Sequence, residues 1–199
     1  MTRLGWSILA IILLATIGFL SLVSFGGASR EPALVTGEPR DELPPSEAPG
    51  APERLLVPVA GVPRTALSDD YEQERGGGTR THRAIDIMAP QGTIVRAAAP
   101  GRIEKLFLSH DGGLTIYQRS LDRRTLYYYA HLLGYRRGLS EGQAVRAGEP
   151  IAAVGATGNA DAAAPHLHFA VNRVAPGDRW WQGQPVNPYP LLAGSRTSR

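Results

Sequence analysis

Residues 165–172 read Pro-His-Leu-His-Phe-Ala-Val-Asn, and this stretch combines a strand pattern with a pair of histidines. Side chains alternate between the two faces of a strand, so His166 and His168 share one face while Leu167 and Phe169 share the other. We expect the apolar pair to enter a core and the histidines to line a groove. Two exposed strand histidines without a chemical role are the alternative.

The surrounding sequence continues in short apolar runs that glycine and proline interrupt. Interruptions about every 8–12 residues are typical of an all-β sandwich or barrel. No long amphipathic helix is predicted after residue 26, so the fold class we expect is all-β. The predicted strands are 84–88, 93–97, 101–109, 115–120, 125–131, 150–153 and 166–172.

Four of the five histidines fall in three short clusters. The first reads His-Arg-Ala-Ile-Asp over 82–86, the second Tyr-Ala-His-Leu over 129–132, and the third is the pair in 165–169. Neutral imidazole is the commonest metal ligand in proteins. Histidines with a carboxylate suit Zn²⁺, and three protein ligands leave a position open for a catalytic water. Each cluster alone is a weak signal, whereas the three together indicate a metal site with histidines to spare for proton transfer.

Strand alternation also orients the first cluster. Ile85 and Ile87 point away from Asp86, which places this aspartate on the polar face. His82 then reaches the same face from the preceding loop. A helix would also bring residues 82 and 86 together, but the flanking glycines 76–78 argue against one.

The same alternation groups Tyr127, Tyr129 and His131 on one face of a strand and Tyr128 on the other. Aromatic residues favour strands in any case, so packing alone explains the tyrosines equally well. His110 adjoins Asp-Gly-Gly in a predicted hairpin turn, and we interpret it as a surface residue.

The N-terminus carries an uncharged apolar run, residues 6–25. Twenty such residues make about 30 Å of helix, enough to span a bilayer. Arg3 is expected to stay in the cytoplasm, so residues 1–25 are predicted to be an N-terminal transmembrane signal-anchor with the N-terminus inside. A signal peptide cleaved after Ala28, giving a secreted form, is the alternative.

Residues 26–54 hold six prolines among polar residues and show no apolar periodicity. They are predicted to be an extracytoplasmic linker of semi-extended character. The predicted domain covers 55–192, and 193–199 is predicted to be a flexible tail.

The composition argues against some kinds of metal ligand and binding partner. The chain contains no cysteine, which excludes disulfides and thiolate metal ligands. Its net charge of +3 is mild and its arginines are dispersed. Because export separates the domain from nucleic acid, we expect no nucleic-acid partner and interpret the charges as a solvated surface.

The order and spacing of these motifs resemble the lysostaphin-type, LytM-like zinc endopeptidases of bacterial cell walls. The resemblance runs from about residue 58 to 192. The segments that carry it are 78–86, 89–97, 99–103, 129–132, 142–148, 151–158, 165–169 and 185–188. This chain differs from many relatives at Ala84, where they have glycine, and at Gly77-Gly78, where they have an aromatic-Gly pair.

The resemblance implies one Zn²⁺ per domain, held by His82, Asp86 and His168. It implies that His131 and His166 are the catalytic pair. It also implies a mainly antiparallel β-sheet core with an open groove over the zinc site.

We expect one catalytic histidine to accept a proton from the attacking water and pass it to the leaving amine. The other would stabilise the oxyanion, assisted by Tyr129. The sequence does not distinguish which of His131 and His166 has which role.

The function expected from this resemblance is a membrane-tethered zinc metalloendopeptidase that hydrolyses the peptide cross-links of peptidoglycan in the periplasm. A D-alanyl–diaminopimelate bond is the first choice and a glycine bridge the second. The expected partners are peptidoglycan peptide stems and, through the N-terminal helix, the cytoplasmic membrane; no protein partner is indicated. One alternative is a non-enzymatic regulator that activates other wall hydrolases, and another is a wall-binding module with structural zinc.

Overall fold

Strands are the principal secondary structure of the region that the computed structural model describes, residues 54–194. A 3₁₀ turn covers Arg64–Ala66 and one short helix, α1, covers Pro188–Ala193. Within the described residues no helix has the length and apolar character that crossing a membrane requires. The strands are β1 (Glu74–Arg75), β2 (Arg80–Thr81), β3 (Ile85–Met88), β4 (Ile94–Arg96), β5 (Gly101–Ser109), β6 (Gly113–Ser120), β7 (Thr125–Tyr135), β8 (Ala144–Val145), β9 (Pro150–Val154), β10 (His166–Arg173) and β11 (Gln184–Val186).

The predicted transmembrane signal-anchor, residues 1–25, lies outside the described residues. The same holds for nearly all of the predicted linker, 26–54, and for the last five residues of the predicted tail, 193–199. These assignments therefore stay predictions.

Nine strands form one antiparallel sheet. Its main path runs β11-β10-β7-β6-β5-β8, and β3 pairs with β10 while β9 joins β7 to β4. β1 and β2 form a separate two-stranded hairpin. The predicted all-β, mainly antiparallel fold is confirmed, and all seven predicted strands are present. β7 extends four residues beyond its predicted end at His131.

The core lies on one face of β3 and β10. Leu167 and Phe169 are fully buried, and their Cα partners across the ladder are Ile87 and Ile85. Because side chains alternate, the same register sets His168 opposite Asp86 on the other face. Apolar burial therefore fixes the relative position of two candidate metal ligands that are 82 residues apart in sequence.

Candidate metal centre

Three potential ligand atoms converge where β3, β10 and the segment after β2 meet. The Nε2 atom of His82 lies 3.0 Å from Oδ1 of Asp86 and 3.1 Å from Nδ1 of His168. The third side of this triangle, from His168 Nδ1 to Asp86 Oδ1, is 3.1 Å. Within residues 54–194 this is the one group of three or more such side chains close enough together to hold a metal ion.

The triangle fits a tetrahedral metal ion. Bonds of about 2.0–2.1 Å to nitrogen and oxygen place tetrahedral ligand atoms about 3.3–3.4 Å apart, close to the separations observed. The Nδ1–H group of His82 donates to the backbone carbonyl oxygen of Asp70 at 3.1 Å, which directs Nε2 towards the cluster. The donor set of two imidazoles and one carboxylate is one that zinc accepts.

A second group of polar contacts holds Asp86 in place. Arg75 donates from Nη2 to Asp86 Oδ2 at 2.6 Å, so the two oxygens of this carboxylate have different partners. Burial works to raise the pKa of Asp86, but hydrogen bonds from His168 and His82 outweigh it and hold that pKa well below its usual range. Asp86 is therefore an anion at every pH at which the domain would work.

His82 carries the proton of the metal-free cluster. Burial works to lower its pKa, but hydrogen bonds to Asp70 and Asp86 and the charge of Asp86 raise it to about 9. Burial lowers the pKa of His168. An incoming metal ion therefore has one proton to displace, and it resides on His82.

The two remaining histidines of the clusters face the same site. The rings of His131 and His166 lie 5.0 Å apart between centroids, and the ring of His131 lies 5.6 Å from that of His168. Their Nδ1–H groups donate to the carbonyl oxygens of Thr157 and Ala164, each at 2.8 Å. In the neutral ring this hydrogen bond leaves Nε2 with a free lone pair.

The two histidines differ in their electrostatic surroundings. Burial and the charges of His168 and His166 outweigh the contact with Thr157 and lower the pKa of His131 to about 4. His166 lies closer to the anion, with Nε2 3.7 Å from Asp86 Oδ1. His131 is therefore neutral at pH 7, and His166 is the one of the two whose ring adjoins the Asp86 carboxylate.

A left-handed residue within β7 decides which tyrosine faces the site. His131 has φ +58°, and its N–H donates to the carbonyl oxygen of Gly112 at 2.8 Å. This conformation interrupts the alternation of side chains, so His131 and Tyr128 both line the cleft. The predicted grouping of His131 with Tyr127 and Tyr129 is wrong for this reason.

The predicted oxyanion role of Tyr129 is wrong as well. Its side chain is fully buried, and its hydroxyl donates to Oε1 of Gln118 and accepts the N–H of Ala98. It therefore stabilises the core beneath the sheet and has no contact with the cleft. His110, predicted to be a surface residue, has a side chain that is 97% exposed.

The cleft above the metal site has a volume of about 570 Å³ and is open to solvent, in agreement with the expected groove. Arg75 and Arg80, which are Cα partners in the β1–β2 hairpin, form part of its wall. Further residues of the lining are Met88, Asp111, Gly112, Tyr128, Ala130, Asn159, Ala160, Asp161 and Ala164.

Arg75, Arg80 and Tyr128 line the cleft but were not predicted from the sequence. Glycines 76–78 are a turn signal, and a hairpin about that turn would have brought Arg75 opposite Arg80. No comparable signal exists for Tyr128, because a histidine in the left-handed region carries no distinct sequence pattern.

Comparison with known proteins shows which family this chain resembles. Residues 80–188 match the family model described as Peptidase family M23. An L-Ala–D-Glu endopeptidase of Bacillus subtilis is 33% identical over 121 residues, which are 58% of this chain and 36% of that protein. The DD-carboxypeptidase/endopeptidase Mpg of Neisseria meningitidis is 41% identical over 112 residues, which are 55% of this chain and 22% of that protein.

A solved structure shares the fold. The antimicrobial peptidase lysostaphin from Staphylococcus simulans superposes with a TM-score of 0.53 at 28% identity, covering 66% of this chain and 51% of that one. This chain thus spans about a third or less of the two curated relatives and about half of lysostaphin. The matched segment contains the three candidate metal ligands together with His131 and His166.

Proposed function

The chain belongs to peptidase family M23, and from this premise we propose that it is a zinc-dependent endopeptidase that hydrolyses peptide bonds of bacterial peptidoglycan. One observation carries the proposal: three ligand atoms within 3.1 Å of one another share a cleft with two histidines that each keep a free Nε2. A closed structural site would instead have four protein ligands and no spare imidazole.

In this proposal His82, Asp86 and His168 hold the metal. When bound, Zn²⁺ would supply the Lewis acidity that polarises a peptide carbonyl group and acidifies water. Arg75 keeps Oδ1 of Asp86 directed at the metal by binding Oδ2. The backbone carbonyl oxygen of Asp70 likewise orients His82 by accepting its Nδ1–H group.

His131 is assigned the role of general base. It is neutral at pH 7 because its pKa is lowered to about 4, and its Nε2 accepts a proton from the attacking water. The new bond joins the water oxygen to the carbonyl carbon. The proton then passes to the amine nitrogen as the carbon–nitrogen bond breaks, leaving a carboxylate and an amine.

His166 is assigned the stabilisation of negative charge on the carbonyl oxygen. Its Nδ1–H donates to the carbonyl oxygen of Ala164, and its Nε2 faces the metal site 3.7 Å from Oδ1 of Asp86, so an Nε2–H group there would donate to the oxyanion. Tyr128 replaces Tyr129 as the tyrosine of the cleft, and its ring lies 6.0 Å from that of His168.

The bond proposed first is the D-alanyl–diaminopimelate cross-link. The DD-carboxypeptidase/endopeptidase relative supports this choice, while the L-Ala–D-Glu endopeptidase makes a bond within the stem the competing substrate. The proposed location is the outer side of the cytoplasmic membrane, reached through the predicted signal-anchor, residues 1–25.

The regulator predicted as the alternative needs no catalytic histidines. This chain keeps both of them, along with all three ligands, in one cleft, which favours the enzyme.

The test is turnover of isolated peptidoglycan by the full-length chain purified in mild detergent. We expect the amount of free amine to rise with time in the presence of zinc and to stay constant for His131→Ala at equal zinc content. Equal amine release by the two proteins would overturn the assignment of the cleft as the active site.

A further inference from the structure

A chain of aromatic rings leads away from the metal centre across the outer face of the sheet. Tyr128, which lines the cleft, lies 4.7 Å from Tyr117 between ring centroids, and Tyr117 lies 4.8 Å from Trp180. Trp180 lies 5.1 Å from Trp181. We call these four residues the aromatic row.

Strand register explains the first half of the row. Tyr128 of β7 and Tyr117 of β6 are Cα partners, and Tyr128 is also the partner of Ala170, two residues beyond His168 on β10. The metal ligand and both tyrosines therefore stand on the same face of adjacent strands. This face lies opposite the apolar core.

The second half of the row comes from the segment between β10 and β11. Trp180 packs at 5.1 Å from Phe107 of β5 as well as against Tyr117, so this segment is fixed onto the sheet. Trp181 follows at the outer end with 56% of its surface exposed, and Phe107 is 38% exposed. The guanidinium group of Arg179 lies 5.1 Å from the centre of the Trp181 ring.

Packing against Tyr117 and Phe107 accounts for Trp180, whereas Trp181 contacts Trp180 and Arg179 and still stays more than half exposed. A large aromatic side chain that is more than half exposed adds apolar surface to water without contributing to the core. Flat exposed indole rings are suited to stacking, both with other π systems and with the C–H faces of pyranose sugars, because both surfaces are flat and weakly polar.

We propose that the aromatic row is a glycan-binding subsite, with Trp181 stacking on an N-acetylated sugar of the peptidoglycan strand. The inference rests on the proposed function, since in peptidoglycan the stem peptide is attached to such a sugar. Tyr128 belongs to both the cleft and the row, so the subsite is continuous with the place where the peptide would be cut.

The dimensions agree with this arrangement. An extended peptide advances about 3.3–3.6 Å per residue, so each ring-to-ring step of the row corresponds to about one and a half residues. Three such steps join Tyr128 to Trp181, so a sugar on Trp181 lies at most about four extended residues from the ring that lines the cleft.

The experiment measures sugar binding directly, with the full-length chain and a soluble oligomer of N-acetylglucosamine, by isothermal titration calorimetry. We expect Trp181→Ala to weaken binding about five- to tenfold, the effect of losing one aromatic stacking contact. Trp181→Phe, which keeps a smaller ring, should lose less. Leu108→Ala is the matched control, because Leu108 is 67% exposed on β5 but has no place in the row.

A second measurement separates this inference from the proposed function. Hydrolysis of a cross-linked peptide with its sugars attached is compared with hydrolysis of the same peptide without sugars. We expect the ratio of the two rates to fall about five- to tenfold in Trp181→Ala and to stay at the wild-type value in Leu108→Ala.

The outcomes are distinguishable. If the oligomer binds, if that binding depends on Trp181, and if the chain hydrolyses nothing, the subsite is supported and the proposed enzyme activity is overturned. Hydrolysis with no binding of the oligomer, or with a rate ratio that Trp181→Ala leaves unchanged, overturns the subsite alone. Equal losses on both substrates would also overturn it, because the row would then bind peptide.

Discussion

The Nδ1 atom of His131 lies 2.8 Å from the carbonyl oxygen of Thr157. This contact fixes the tautomer of the ring, since the proton that Nδ1 donates leaves Nε2 free to act as a base. Burial lowers the pKa of His131 to about 4, so the base is ready at neutral pH. The hydrogen bond to one loop carbonyl group thus decides which nitrogen of His131, on β7, can accept a proton.

Replacing His131 with alanine should abolish turnover without removing the metal. We expect the rate to fall about 10²- to 10⁴-fold, the range for loss of a general base. Zinc content should remain at one per chain, because His131 is outside the ligand triangle. The checks are initial rates and elemental analysis, with His110→Ala, an exposed histidine outside the cleft, as the control. Wild-type turnover in His131→Ala would contradict the role.

Replacing Asp86 with alanine should remove the metal. The variant loses the one anionic ligand, so we expect zinc affinity to fall by more than about 100-fold, beyond the 10- to 100-fold typical of outer hydrogen-bond partners. Competition with a chelator of known affinity measures this. Glu72→Ala is the control, since Glu72 is an exposed carboxylate paired with Arg83 at the surface. Stoichiometric zinc in Asp86→Ala would refute the ligand assignment.

Zinc affinity should increase as the pH rises. The metal-free protein holds a proton on His82 because its pKa is raised to about 9, while Asp86 is already ionised. Binding releases that proton, so the apparent affinity should rise about tenfold per pH unit and level off near pH 9. Competition titrations at pH 6, 7 and 8 provide the check. An affinity that is the same at pH 6 and pH 8 would show that no proton is displaced.

The backbone around His131 should not tolerate a side chain at Gly155. A Cβ atom there would lie 2.4 Å from the N atom of Leu133 and 2.8 Å from the carbonyl oxygen of His131. We expect Gly155→Ala to lower the free energy of unfolding by about 1–3 kcal/mol, and activity to fall as His131 moves. Gly134→Ala is the control, because Gly134 lies on β7, the strand of His131, with open space around it. Equal denaturation midpoints for the two variants would contradict the packing argument.

Much of the site could be predicted from the sequence, because side chains alternate between the two faces of the sheet wherever one face packs into the core. Leu167, Phe169 and Ile85 must be buried, and this alone sends His168 and Asp86 to the opposite face. The failure at Tyr129 has an equally local cause. His131 adopts a left-handed conformation that Gly112 stabilises through a hydrogen bond. This conformation interrupts the regular alternation of side chains that the sequence predicts for β7.

Other parts of the site depend on long-range contacts that no local pattern encodes. Arg75 reaches Asp86 only because the β1–β2 hairpin folds over the cleft, and Trp180 reaches Tyr117 only because the segment after β10 returns across β5 and β6. The five clustered histidine and aspartate residues could be named from spacing and resemblance. The residues that orient them required the structure.

Mass spectrometry of peptidoglycan fragments, after incubation with the full-length chain, tests the central claim most directly. Samples with zinc, with a chelator and with zinc restored are compared. The account predicts that cross-linked species disappear, that matching free amine and carboxyl ends appear, and that the chelator stops the reaction until zinc returns. Unchanged cross-links and stems from a folded, zinc-loaded chain would contradict it.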